Sequence, residues 1–209
     1  MKLDAQLPFV TALLFILSIL FPIFPEIPLP VSEARLVNWI ENGQALWLLF
    51  GALFTLFWIK SWTLTPGQKA FWLWSVAWWV VLLGRSTSWG RVYFPDEPRL
   101  IFRIISVILI AALALPVILS ATLRKEIALR FRHEIFPLWT VLLVVITFLF
   151  SDAVEHHRLL APLFLHQPQY QDLIEELYEI PFMVGLFTLT AGMLRREKRS
   201  VATALAAAH

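Results

Sequence analysis

Apolar segments recur along the whole of this chain, and its polar residues gather between them. A backbone that must satisfy its own amides in hydrocarbon has few solutions, and for runs of this length the solution is the helix. With 59% hydrophobic residues and a mean hydropathy of +0.72, the composition stands far from that of an ordinary soluble domain. The expected fold class is all-α, a polytopic membrane helix bundle of six transmembrane helices with both termini cytoplasmic. Residues 1–199 are expected to form one domain, followed by a disordered alanine-rich tail at 200–209. The chain has no cysteine, which excludes disulfides, thiolate zinc sites and cysteine nucleophiles.

The six spans read as residues 8–24, a second helix capped by Ser32 and apolar over 45–59, then 70–84, 100–123, 135–150 and 173–194. Pro22, Pro25, Pro28 and Pro30 stop the first span, since proline cannot continue a helix. Lys60 and a Thr65-Pro66-Gly67 turn end the second. Pro116, Pro137 and Pro181 lie within or at the start of spans, where they kink helices more readily than they abolish them. Lys2 precedes the first apolar run as in a signal peptide, but no small-residue cleavage site follows, so the run reads as a retained span.

Lysine and arginine set the orientation. The side holding the termini and the loops after spans two and four carries eleven of the seventeen basic residues and four of the fifteen acids, a balance of +7. The other side carries six basic and eleven acidic residues, a balance of −5. The positive side is expected to face the cytoplasm of a bacterial inner membrane, N-in/C-in. Tryptophans support two interfacial belts, Trp58, Trp62, Trp72 and Trp74 at the cytoplasmic boundary and Trp39, Trp47 and Trp89 at the outer one. The basic stretch RKEIALRFRHE reads as a topology-setting loop touching anionic lipid, not as a nucleic-acid patch.

Three polar clusters then fall on the outer side. The first is Asn38, Glu41 and Gln44, where the second span enters the membrane. Glu41, a lone acid flanked by amides on an apolar helix, is a candidate general base or proton carrier. The second is Gly84-Arg85-Ser86-Thr87-Ser88-Trp89-Gly90-Arg91, with Arg103 just inside the fourth span. Arginine's planar fork suits a phosphate or carboxylate, so Arg85, Arg91 and Arg103 are candidates for an anionic substrate, with Asn38 and Trp89 beside them. The same arginines also read as structural ion-pair partners for the acids. Ser88 is a candidate nucleophile, although no histidine adjoins it in sequence.

The third cluster occupies residues 151–179. Asp152, Glu155 and His156 share a helix face at i, i+3, i+4, a ligand-like spacing, and Glu176 of the last span is a candidate to complete the shell. A fraying helix end with solvated histidines is the plain alternative. His156 and His157 diverge by about 100° on a helix, so only one faces inward. His133 and His166 read as loop residues. Asp172, Glu175, Glu176 and Glu179 form one acidic stripe; a solvated helix start accounts for the first, while Glu179, two turns in beside Pro181, is a candidate catalytic acid.

The order of these features resembles an uncharacterised group of bacterial multi-pass membrane proteins. Its members carry an acid–Asx–Gly turn before a span, a Gly-x-x-x-Ser-Trp-Gly signature after the next and an acidic run opening the last. Here these are Glu41-Asn42-Gly43, Gly84-Arg85-Ser86-Thr87-Ser88-Trp89-Gly90 and Glu175-Glu176-Leu177-Tyr178-Glu179. The group's second motif usually has two glutamates where this chain has Arg85 and Ser86. The resemblance implies architecture and no chemistry. From the residues, the first expectation is a membrane-embedded enzyme acting on a lipid, lipid-linked or other anionic substrate. One divalent ion (Zn, Mn or Mg) is its candidate cofactor. A proton- or cation-coupled transporter and a non-catalytic membrane partner remain as alternatives. The near-wholly apolar spans below the clusters count against a through-path.

Overall fold

Helices dominate the computed structural model, which describes residues 2–26, 31–60, 64–156, 162, 165 and 167–207. In chain order they are α1 Phe9–Leu20, α2 Glu33–Lys60, α3 Pro66–Ser86, α4 Arg99–Leu119, α5 Ala121–His133, α6 Leu138–Glu155 and α7 Gln171–Ala207. Short 3-10 turns occupy Phe21–Glu26, Ser88–Gly90 and Pro168–Tyr170. Strands β1 Lys2–Asp4 and β2 Ile135–Pro137 pair with each other. Among the described residues, four stretches are long and apolar enough to cross a membrane: Glu33–Ile59, Arg99–Leu119, Leu138–Glu155 and Pro168–Arg199. Pro28, Pro30, Trp62, His157, Arg158 and His166 lie outside the described residues.

Several segments differ from what the sequence suggests, each for a local reason. The fourth helix ends at Leu119, not at residue 123. Pro116 offers no N–H to the last turn, and Ser120 is extended (φ −98°, ψ 105°). The Ser120 hydroxyl then accepts from Leu123 N at 3.2 Å and starts α5, so the basic stretch is helical and not a loop. Arg124 reaches back and donates to the carbonyls of Val117 and Ile118, covering the open end of α4. Thr65-Pro66-Gly67 opens α3 in place of a turn closing α2: Thr65 and Gln68 form a reciprocal capping box, with proline at the first helical position. Glu41-Asn42-Gly43 lies inside α2 and makes no turn. The last helix runs on into the alanine-rich stretch as far as Ala207; alanine is the strongest helix former.

Contacts gather into two compact units, a finer division than the single domain suggested by sequence. The first unit comprises Glu41–Glu134, with α3 at its centre packed on α4, α5 and the 88–90 turn. Trp72 and Trp79 are its largest buried side chains. A Cβ on Gly51 would stand 2.9 Å from the Trp79 ring, so glycine there is what lets α2 close on that indole. Trp74 Nε1 donates to the Leu113 carbonyl at 2.9 Å, tying α3 to α4. Arg130 is buried, with Nε 3.0 Å from Glu126, Nη1 3.9 Å from Glu134, and its guanidinium 4.1 Å from the Phe71 ring centroid. Fully partnered in this way, it is a structural arginine.

The second unit comprises Leu3–Ile40 and the chain from Ile135 on, and is dominated by the packing of α6 on α7. A Cβ on Gly185 would meet Val144 at 2.7 Å, so glycine permits this close approach. Val154, Leu173, Ile174, Leu177 and Tyr178 form the buried cluster, covered by Phe21, Leu36, Val37, Ile40 and Phe150. Phe21 and Phe150 meet the Tyr178 ring edge-on, at 5.3 and 5.5 Å. Pro22 withholds the α-helical donor for the Ser18 carbonyl, and the Tyr178 hydroxyl donates to that carbonyl at 3.1 Å. Thr11 and Thr140 share a buried hydroxyl pair at 2.9 Å, joining α1 to α6.

Candidate anion-binding site

The Gly-x-x-x-Ser-Trp-Gly motif acquires a physical meaning in the first unit. The Thr87 amide donates to Leu83 O at 3.0 Å and its hydroxyl donates to the same carbonyl at 2.9 Å, ending α3. Ser88, Trp89 and Gly90 then take positive φ in succession, at 49°, 63° and 100°. Two of these are not glycine, and left-handed backbone costs such residues about 1–2 kcal/mol each. Strain of this kind persists where the surroundings enforce it. Here the enforcing contact is visible: a Cβ on Gly84 would lie 2.7 Å from the Trp89 ring, so the indole folds back onto the glycine of the preceding helix.

That reversal brings α3 and α4 to one cleft of about 430 Å³, within the range of small-ligand sites. Arg85, Ser88, Trp89, Arg91, Arg99, Phe102, Arg103 and Ser106 line it. All four arginines are exposed, and no carboxylate belongs to the lining. Arg91, Arg99 and Arg103 form no ion pair among the described residues, and neither do Asp96 and Glu97 of the intervening loop. Arg99 and Arg103 occupy the first two turns of α4, which has no acid in its first turn. Cations at a helix N-terminus oppose the helix dipole, so these side chains do not serve the helix. The contrast with Arg130, buried between two glutamates, is complete.

Five residues singled out from sequence thus meet in this cleft: Arg85, Ser88, Trp89, Arg91 and Arg103. Sequence reasoning missed Arg99, Phe102 and Ser106. The signal was present, since Arg99, Arg103 and Ser106 follow at i, i+4 and i+7 on one face of a span. Glu41 and Asn38 are not part of the lining. Within the same unit, however, Tyr93 donates to Asn42 Oδ1 at 3.2 Å, which ties the loop after Arg91 to the residue following Glu41. Glu41 is half-buried and Gln44 buried, whereas Asn38 is exposed.

In the second unit Asp152, Glu155 and His156 come together, each with one ligand atom within 4.8 Å of the others. α6 ends at Glu155 and His156 caps it, with φ −101° and ψ 12°. His156 Nδ1 lies 3.5 Å from Asp152 Oδ1, 3.6 Å from Glu155 Oε2 and 3.2 Å from the Asp152 carbonyl. Nδ1 is the ring nitrogen that faces both carboxylates and is therefore the candidate metal donor. Two carboxylates and an imidazole suit a borderline ion, whose tetrahedral ligands at about 2.1 Å stand roughly 3.4 Å from one another. The donor chemistry fits, and the group need close only slightly. Glu176 and Glu179 sit on α7, half-buried, and are not among the three gathered residues.

No known protein family, curated protein or solved structure matches this chain. The class its own fold and site define is an all-α protein with helices long and apolar enough to cross a membrane, carrying an arginine-lined cleft.

Proposed function

We propose that this is a six-span bacterial inner-membrane protein, termini cytoplasmic, that acts on a lipid or lipid-linked substrate at the outer leaflet. The cleft arginines hold the substrate's anionic head group. One observation carries this reading: four guanidiniums surround a single cavity that no carboxylate lines. Two further helices supply the remaining spans. α3 has 21 residues, and a helix of that length rises about 31 Å. Its tryptophans lower its hydropathy without making it polar. α1 and the 3-10 turn that continues it together reach about 30 Å. The charge asymmetry of +7 against −5 supports the orientation.

The acid–base roles expected of Glu41 and Glu179 and the nucleophile role of Ser88 belong to the same reading. So does a divalent ion held by Asp152, Glu155 and His156, with Glu176 as a further candidate. Such an ion would acidify bound water and polarise a carbonyl or phosphoryl oxygen. Native mass spectrometry of protein purified in mild detergent tests the reading. Anionic lipid should accompany the wild type and be lost from the Arg91→Gln/Arg103→Gln double variant, with neutral lipid unchanged. Equal anionic lipid on both proteins would refute it.

A further inference from the structure

We infer that the head group taken by the cleft carries more than one negative charge, as a phosphomonoester or diphosphate on a lipid, and that Arg99, with Arg91 and Arg103, contributes to this preference. The inference rests on the head-group reading above and narrows it.

Charge is the first ground. Four guanidiniums line the cleft without a carboxylate, and three of them lack an ion pair among the described residues. A phosphodiester offers one negative charge and two strongly accepting oxygens. That satisfies one bidentate arginine and leaves two of Arg91, Arg99 and Arg103 as clustered like charges. A phosphomonoester or diphosphate offers three or more terminal oxygens and at least part of a second charge, matching several forks at once.

Size is the second ground. At about 30 Å³ per water, 430 Å³ holds on the order of fourteen water-sized units, more than the five heavy atoms of one phosphate group require. The third ground is what lies below. Arg99, Arg103, Ser106 and Ile110 follow one stripe of α4 at i, i+4, i+7 and i+11. The stripe passes from charged to apolar, and Ile110 is 49% exposed. Only 6% of the α4 span is buried, against 33–39% of the other three candidate spans. In a membrane span such a face lies against bilayer lipid, so acyl chains reach the cleft from below along α4.

Calorimetric titration of the full-length protein in detergent separates the outcomes. Dioctanoyl phosphatidate, dioctanoyl phosphatidylglycerol and dioctanoyl phosphatidylcholine share their acyl chains and differ in head-group charge. Inorganic diphosphate represents a soluble source of the same chemistry. The phosphomonoester lipid should bind roughly tenfold or more tightly than the phosphodiester. Arg99→Gln should lower phosphatidate affinity more than phosphatidylglycerol affinity and so narrow that preference several-fold, and Arg99→Lys, which keeps charge and loses the fork, should only partly restore it. Unchanged thermal unfolding of both variants excludes misfolding as the cause. Equal affinity for the two anionic lipids, falling together in Arg103→Gln, would overturn the charge preference and leave the head-group reading standing. Neither anionic lipid exceeding phosphatidylcholine would overturn both. Inorganic diphosphate binding as tightly as phosphatidate would assign the cleft to a soluble anion and overturn the lipid source.

Discussion

Tyr178 donates a hydrogen bond to the Ser18 carbonyl, and that partner explains why a hydroxyl sits in an apolar cluster. The Ser18 carbonyl has lost its α-helical donor to Pro22, and the phenol replaces it at 3.1 Å. Tyr178→Phe keeps the two edge-on ring contacts and removes only the donor. It should cost about 1–2 kcal/mol, measured as a lower denaturant midpoint in detergent with unchanged slope. The defect at Pro22 was legible in the sequence, but its remedy, 160 residues away, was not, because no local pattern encodes a long-range pairing. The Asp152, Glu155 and His156 trio was legible, since i, i+3, i+4 spacing on a helix is a local property. Elemental analysis of protein purified without chelator should find one divalent ion per chain, absent from His156→Ala. Metal content unaffected by that change would remove the trio as the binding site.

At the scale of elements, the site depends on how α3 ends. Gly84 accepts the Trp89 ring, and three left-handed residues turn the chain so that Arg91 faces the same cleft as Arg85. A methyl group at position 84 would meet the indole at 2.7 Å, so it must displace it. Gly84→Ala should therefore weaken lipid retention in native mass spectrometry several-fold, while destabilising the fold by only about 1–3 kcal/mol. Retention at the wild-type level would show that the indole does not organise the cleft. Gly90 at φ 100° could be anticipated as a turn glycine; Ser88 and Trp89 at positive φ could not, because their propensities oppose it and packing imposes it. The start of α3 was misread for the opposite reason. Pro66-Gly67 carries a strong turn signal, yet Thr65 with Gln68 three residues later is also a helix start, and the capping box prevailed.

For the molecule as a whole, the apolar rhythm of the chain was enough to foretell helices, because burial in hydrocarbon leaves no other local choice. It was not enough to give their ends, which depend on single side chains such as Ser120 and Thr65. Orientation rests on charge alone and can be checked directly, since the chain contains no cysteine. Val92→Cys, in the loop after the arginine motif, should react with a membrane-impermeant maleimide in intact spheroplasts. Arg132→Cys, on α5, should react only after permeabilisation. The reverse pattern would place the cleft in the cytoplasm and sink the outer-leaflet reading.

The bond between Tyr178 and Ser18 also bears on how the protein is made. Synthesis makes α1 well before α7, so the Ser18 carbonyl stands one donor short until Tyr178 has been translated. Once made, the bond ties the end of α1 to α7, so α1 should fray more readily, and exchange its amide hydrogens faster, in Tyr178→Phe.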